Sequence, residues 1–200
     1  MHPLSRTLIQ LNLATREHHA AADTPWRGLM VPTVQKQHYV GHLIKVYGFE
    51  AALEAAFRYT PGLAALIDLR ARTRSGLLVE DLMRLGVGAA RIAELEQHFV
   101  TFSSVPEALG WMYVVERSTL LHGAVRRYLT VRIPDVATAS RYLGAGASVA
   151  GARWNELGDA LDAVAQAPRV ERQILGAANQ CFLALRDWFY EATELRSVGT

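Results

Sequence analysis

Apolar residues in this chain recur every three or four positions almost from end to end, and no stretch alternates apolar and polar residues long enough to insist on a strand. That spacing lines one face of a 3.6-residue helix, whereas a half-buried strand needs a period of two. The chain is therefore predicted to be all-α. Proline and glycine cut the pattern into segments, since proline lacks the amide proton of a helix interior and glycine accepts the left-handed turn that ends a helix. A first helix is predicted from about Ser5, a capping residue, to Ala22, with Pro25 ending it. A second runs from near Thr33 to Pro61, and shorter ones follow at GLLVEDLMRLG, stopped by Gly86, and at AARIAELEQHF. A long central helix starts at Pro106 and ends before Pro134, and two more span about 149–165 and 168–195, leaving the tail RSVGT to fray.

Nothing in the sequence divides these helices into separate bodies: there is no repeat, low-complexity segment or linker, so residues 1–200 are expected to form one domain with a core over about 5–195. A chain of this length buries roughly 70% of its unfolded surface and needs no staples. The single cysteine, Cys181, excludes an intramolecular disulfide and a cysteine-rich zinc site and fits a reducing compartment. The N-terminus has no basic start followed by an apolar run, and no stretch reaches the roughly 18 uncharged apolar residues of a membrane span. A cytoplasmic location without a membrane partner is the expectation. A net charge of +2, from 21 Lys+Arg against 19 Asp+Glu, is too small for a nucleic-acid footprint. Arg126, Arg127 and Arg132 cluster, enough for a local patch toward an acidic partner.

Seven histidines are the main reactive inventory. With Leu4, Leu8, Leu11, Thr15 and Ala22 as the buried stripe of the first helix, His19 lies about 40° from its centre and His18 about 60° at 100° per residue. One is either a satisfied core histidine or a neutral imidazole offered to a metal. His38 and His42 stand one turn apart, but the stripe Val40, Leu43, Tyr47, Ala51 leaves both on the opposite, solvated face. No glutamate has a histidine three residues later, so a carboxylate-bridged di-iron site is not indicated. In the central helix Trp111, Val115, Ser118, His122, Val125 and Leu129 form one inward stripe, putting a second histidine inside. Ser118 and Thr119 can bond back to carbonyls one turn earlier and bend that helix, and Gly123 permits a close approach.

Together LATREHHAAAD, YVGHLIKVYGFEAALEAAF, LVEDLMRLG and EALGWMYVVERSTLLHGAVRRYL resemble, in order, the heme oxygenases, particularly the short bacterial type associated with bacteriophytochromes. The resemblance covers most of residues 5–165 and implies a helical bundle that holds heme between the first and central helices. It places the iron-ligating histidine on His19, the acidic residue one turn later on Asp23, and a basic residue near the propionates on Arg16. Relatives carry a Gly-Ser-Thr-Leu-Gly-Gly segment in the distal helix; here the glycine positions are Arg117, Leu121 and His122.

The implied activity is oxidative cleavage of heme to biliverdin, iron and carbon monoxide, with an external electron donor such as a reductase or ferredoxin and a place in a bacteriophytochrome pathway. Ser118, Leu121 and His122 would form the distal wall, and Arg16, Arg117 and Arg153 would face the heme. The alternative is a protein of the same fold that holds heme between His19 and His122, or another tetrapyrrole, without cleaving it. A third reading, other chemistry on the related thiaminase-type fold, would need Cys181, which has no base nearby in sequence.

Overall fold

The computed structural model describes residues 5–145 and 149–197, with side chains to residue 190, and among these there is no strand. The main helices are α1 (Arg6–Ala14), α2 (Arg16–Arg27), α3 (Lys36–Tyr59), α4 (Ser75–Arg84), α5 (Ala89–Ala93), α6 (Val105–Ser118), α7 (His122–Arg132), α8 (Pro134–Thr138), α9 (Arg141–Gly144), α10 (Ala150–Val164) and α11 (Pro168–Ser197). No helix among the described residues is long and apolar enough to cross a membrane.

Most of the local signals act as expected. Ser5 caps α1 by accepting from the Leu8 amide. Gly86, at φ 97°, closes α4 with the Val87 amide donating to the Leu82 carbonyl, the left-handed ending that only glycine adopts without strain. Four expectations are corrected. The first helix is broken at Thr15, whose hydroxyl donates to the Leu11 carbonyl at 2.7 Å. Pro25 does not end α2, because so near the C-terminus it removes a single helical bond, and the helix carries Trp26 on into the core. The segment AARIAELEQHF is helical only to Ala93. Beyond it the chain is drawn across α3, where the His98 amide donates to the Gly48 carbonyl at 2.8 Å. A Cβ at Gly48 would stand 2.4 Å from the Glu96 carbonyl oxygen, so this crossing needs the glycine. Of the tail expected to fray, Arg196 and Ser197 complete α11, and 198–200 lie outside the described residues, as does Leu4 of the first stripe.

Two apolar cores result. The first joins α1, the C-terminal half of α3, α6, α10 and α11 around Leu53, Leu109, Met112, Leu161 and Phe182. The second joins the end of α2, the first half of α3, α4 and α7–α9 around Trp26, Leu43, Leu82, Val125 and Tyr142. Polar groups are buried as well, among them Glu50, Arg74 and Glu116, and the imidazoles of His42 and His122, which pack on Trp26 of the second core.

Helices α6 and α11 approach most closely at Gly110, where a Cβ would meet the Ile174 carbonyl oxygen at 2.4 Å and the Ala177 Cβ at 2.8 Å. The missing side chain is what lets these two helices pack backbone to backbone. Gly110→Ala should therefore lose about 1–3 kcal/mol of stability through overpacking. Gly41→Ala, in α3 with nothing within 4 Å of the added Cβ, should gain about 0.5–1 kcal/mol from the reduced backbone freedom of the unfolded chain. Urea unfolding of the two variants beside the parent measures both.

Candidate functional site

The central helix is not continuous. After Ser118, α6 gives way to a 3-10 turn over Thr119–Leu121, and α7 begins at His122. The Ser118 hydroxyl donates to the Val115 carbonyl and the Thr119 hydroxyl to the Glu116 carbonyl, each at 2.7 Å. These bonds take up carbonyls that the next turn would otherwise use, and they bend the helix. The kink is thus made by hydroxyl groups, without glycine at 117, 121 or 122.

The kinked wall faces α2 in three steps along the two helices. At the first, the Tyr113 hydroxyl lies 3.4 Å from Thr15 Oγ1, which is itself 3.1 Å from His19 Nε2. Because the Thr15 hydroxyl donates to the Leu11 carbonyl, the imidazole donates to Thr15 through Nε2–H, an assignment of the tautomer from the network. At the second, Arg117 donates to both carboxylate oxygens of Asp23, at 2.8 and 3.3 Å, a bidentate pair with side chains only 13% and 11% exposed. At the third, the His122 ring packs on Trp26 with centroids 4.7 Å apart.

His19 is half-buried, tilted against Phe182 of α11 at 5.6 Å. Burial, then the Arg117 charge, lower its pKa, with Asp23 opposing. His18 stacks flat on Phe182 at 5.5 Å and lies 3.7 Å from Glu17. The imidazole placed among groups of α6 is therefore His19. Arg16 is exposed three residues before it. Arg153 is elsewhere: it is buried, with Nε 3.6 Å from Glu116 and Nη1 donating to the Ala71 carbonyl at 3.4 Å. Leu121 is half-buried against the second core, and Ser118 borders a cavity of about 20 Å³ with Trp26, Phe49 and Phe189. That space holds about one water.

His122 is 1% exposed, also packs on Tyr142 at 4.8 Å, and neither ring nitrogen has a hydrogen-bond partner among the described residues. His42 was expected on the solvated face of its helix and is instead buried, its ring 4.2 Å from Trp26 and 5.4 Å from Phe189. The correction has a plain cause. Helix α3 is apolar around much of its circumference, with Tyr39, Leu43, Val46 and Phe49 buried and Val40, Ile44 and Tyr47 partly so. Its neighbours, rather than its own periodicity, choose the inward arc. Trp26 thus lies between two inward imidazoles. Its place seven residues after His19, two turns along the same face, was the one available sequence signal for it.

A family model for heme oxygenase matches residues 5–191. The chain belongs to the heme oxygenase family. Binding and degrading heme is that family's general activity. Among solved structures, the NO- and CO-bound heme oxygenase from Neisseria meningitidis superposes with a TM-score of 0.67 at 20% identity, covering 92% of this chain and 92% of that one. That likeness shows the helical fold. No curated protein sequence matches.

Between α2 and α6–α7 the described structure is closed by the Asp23–Arg117 pair and the Trp26–His122 contact, and the cavity beside them is only about 20 Å³. The thiaminase-type reading finds no support at Cys181, which is fully buried with its thiol pKa raised by burial; such a thiol is inert.

The buried imidazoles carry a pH signature. Burial pushes the His42 pKa down to about 3, whereas an unfolded histidine titrates near 6.5. Below that value the unfolded chain binds a proton that the folded chain refuses. The contribution of His42 is thus fully present above about pH 6.5 and is lost as pH falls toward about 3, by about 1.4 kcal/mol per pH unit. His42→Phe should flatten this slope by that amount between pH 6 and about 4.5, read from urea unfolding at a series of pH values.

Proposed function

We propose that this chain binds heme in the cleft between α2 and α6–α7 with His19 as the iron's protein ligand, and cleaves it oxidatively to biliverdin, iron and carbon monoxide. The observation that carries the reading is His19 itself: an imidazole whose pKa is lowered, half-buried and facing the kinked wall, in a chain whose family match spans residues 5–191. When bound, heme supplies an iron that activates dioxygen with electrons from an external reductase or ferredoxin.

The chain's own part is to bind, orient and keep dry. His19 Nε2 would take the iron once its proton has moved to Nδ1 and the hydrogen bond to Thr15 is given up, and burial, which disfavours the imidazolium, keeps the ring neutral. Phe182 offers a ring beside that imidazole. Arg16, exposed on the same helix, and Arg117, once parted from Asp23, supply guanidinium groups for the carboxylates. Asp23 then faces His19 and raises its basicity. Trp26 and Phe189 leave little room for water at the kink.

A second reading, tetrapyrrole binding without cleavage, is favoured by one specific observation: His122 is inside, unbonded at both nitrogens and against α2. Placed near iron, it would act as a second axial ligand and occupy the oxygen side, with Leu121 and Arg117 adding bulk where bare backbone would leave space.

Hemin titration tests both readings. His19→Ala should abolish the ferric heme absorption spectrum and His18→Ala should leave it; the reverse result overturns the assignment of His19. With a chemical reductant, the parent should yield biliverdin. A six-coordinate low-spin ferric spectrum, no biliverdin from the parent, and biliverdin from the Leu121→Gly/His122→Gly variant would establish the second reading in place of the first.

A further inference from the structure

A second opening is lined by none of His19, Asp23, Arg117 and His122. It is a cavity of about 640 Å³ between the C-terminal half of α3, the connection over residues 64–74, and α6, a size that suits a small organic ligand. Its walls are apolar. Leu53 and Phe57 on α3 face Met112 and Val115 on α6, with Leu69 from the connection beside them. Among the residues bordering it are Arg72 and Arg74, 6% and 4% exposed, and at its rim the exposed Arg58 and Arg70, for which no ion pair is formed among the described residues.

The carboxylates that border the cavity are already engaged. Glu54 accepts from the Arg74 and Ser75 amides and from the Ser75 hydroxyl. Glu50 accepts from the Tyr142 hydroxyl at 2.6 Å and lies 3.4 Å from Arg74 Nη2. Glu116 stands 3.6 Å from both Arg72 and Arg153. Arg72 is likewise engaged, at Nη1 by Glu156 and the Asp68 carbonyl and at Nη2 by the Arg153 carbonyl at 2.7 Å, and what remains over is a set of unbonded guanidinium nitrogens. Arg72 Nε, Arg74 Nε and Nη1, and Arg153 Nε and Nη2 are buried without a hydrogen-bond acceptor, against Glu50 Oε2 as the one comparable acceptor in this cluster. Buried guanidinium groups in such number call for an acceptor, since an unsatisfied buried donor costs about 1–3 kcal/mol. The planar fork of arginine suits a carboxylate, and the walls above it suit hydrocarbon.

We propose that this cavity is a binding site for an amphipathic monocarboxylate, whose head group meets Arg72 and Arg74 and whose apolar body lies along Leu53, Phe57, Leu69, Met112 and Val115. The proposal does not rest on heme binding, although Met112, Val115 and Glu116 stand on α6, the helix that also carries Arg117.

Decanoate is the probe and decanol its uncharged control, titrated by calorimetry into the full chain without heme. Decanoate should bind saturably with a Kd on the order of 10–100 μM, and decanol at least tenfold more weakly. Leu69→Trp fills the cavity from the connection and leaves the arginines in place; it should weaken decanoate at least tenfold. Arg58→Glu/Arg70→Glu reverses the rim charge on exposed side chains and should weaken it severalfold. Arg74→Met serves as a further variant where circular dichroism shows it folded. Equal binding of decanoate and decanol, unchanged binding to Leu69→Trp, or no saturable binding up to 1 mM each overturns the proposal; the last would mean that the surplus donors are met by water alone.

Discussion

The carboxylate of Glu116 is 4% exposed and lies 3.6 Å from two buried guanidinium groups, those of Arg72 and Arg153. A charge in that position is tolerable only while its partners stay, because removing one leaves another uncompensated in a low-dielectric interior. The cluster binds α6 to the connection before α4 and to α10, and Arg74 with Glu50 extends it to α3. Together with the packing of Gly110 on α11, it orients α6 about its own axis. With Glu116 held inward, its neighbour Arg117 is turned about 100° around the helix, and there it meets Asp23 on α2. The Arg117–Asp23 pair and the buried ion cluster thus leave one helix in neighbouring directions.

The same helix explains how the wall of the cleft bends. A kink needs carbonyls released from the regular ladder, and in this chain Ser118 and Thr119 take them up with their own hydroxyls. Side chains can then stand at 117, 121 and 122, and two of these, Arg117 and His122, reach α2. What bare backbone would leave open is closed by an ion pair and an aromatic contact. The aromatic contact is shared with the second core, to which Trp26 and Tyr142 belong. The cleft is thus a joint between the two cores: α6 belongs to the first, α7 to the second, and the 3-10 turn is where the chain passes from one to the other.

The class of the fold, the order of the long helices and the inward place of His122 were legible in the sequence because each rests on local chemistry or on a strong stripe. Gly86 closes a helix through its own backbone freedom, and Ser5 caps one through its own hydroxyl. His122 shares a stripe with Val125 and Leu129, and all three are buried. The resemblance named His19, and spacing agreed with it only slightly; in the fold it is the imidazole that Thr15 and Arg117 surround.

Tertiary structure decided what depended on which neighbour a helix met. Helix α3 has apolar residues on most sides, so its own period did not say that His42 would face Trp26. The segment after Ala93 has helical spacing, yet it leaves the helix and crosses α3, where the His98 amide donates to the Gly48 carbonyl. Arg153 was placed with the heme by analogy and is drawn instead to Glu116, since a buried carboxylate outcompetes an exposed surface for a guanidinium. The sequence by itself determined the helical class, the cap at Ser5, the stop at Gly86 and the bend at Ser118 and Thr119, because capping, glycine and hydroxyl chemistry act within one turn. Only the packed structure determined which arc of each helix is inside and which charges are partnered, because those depend on surfaces many residues away in the chain.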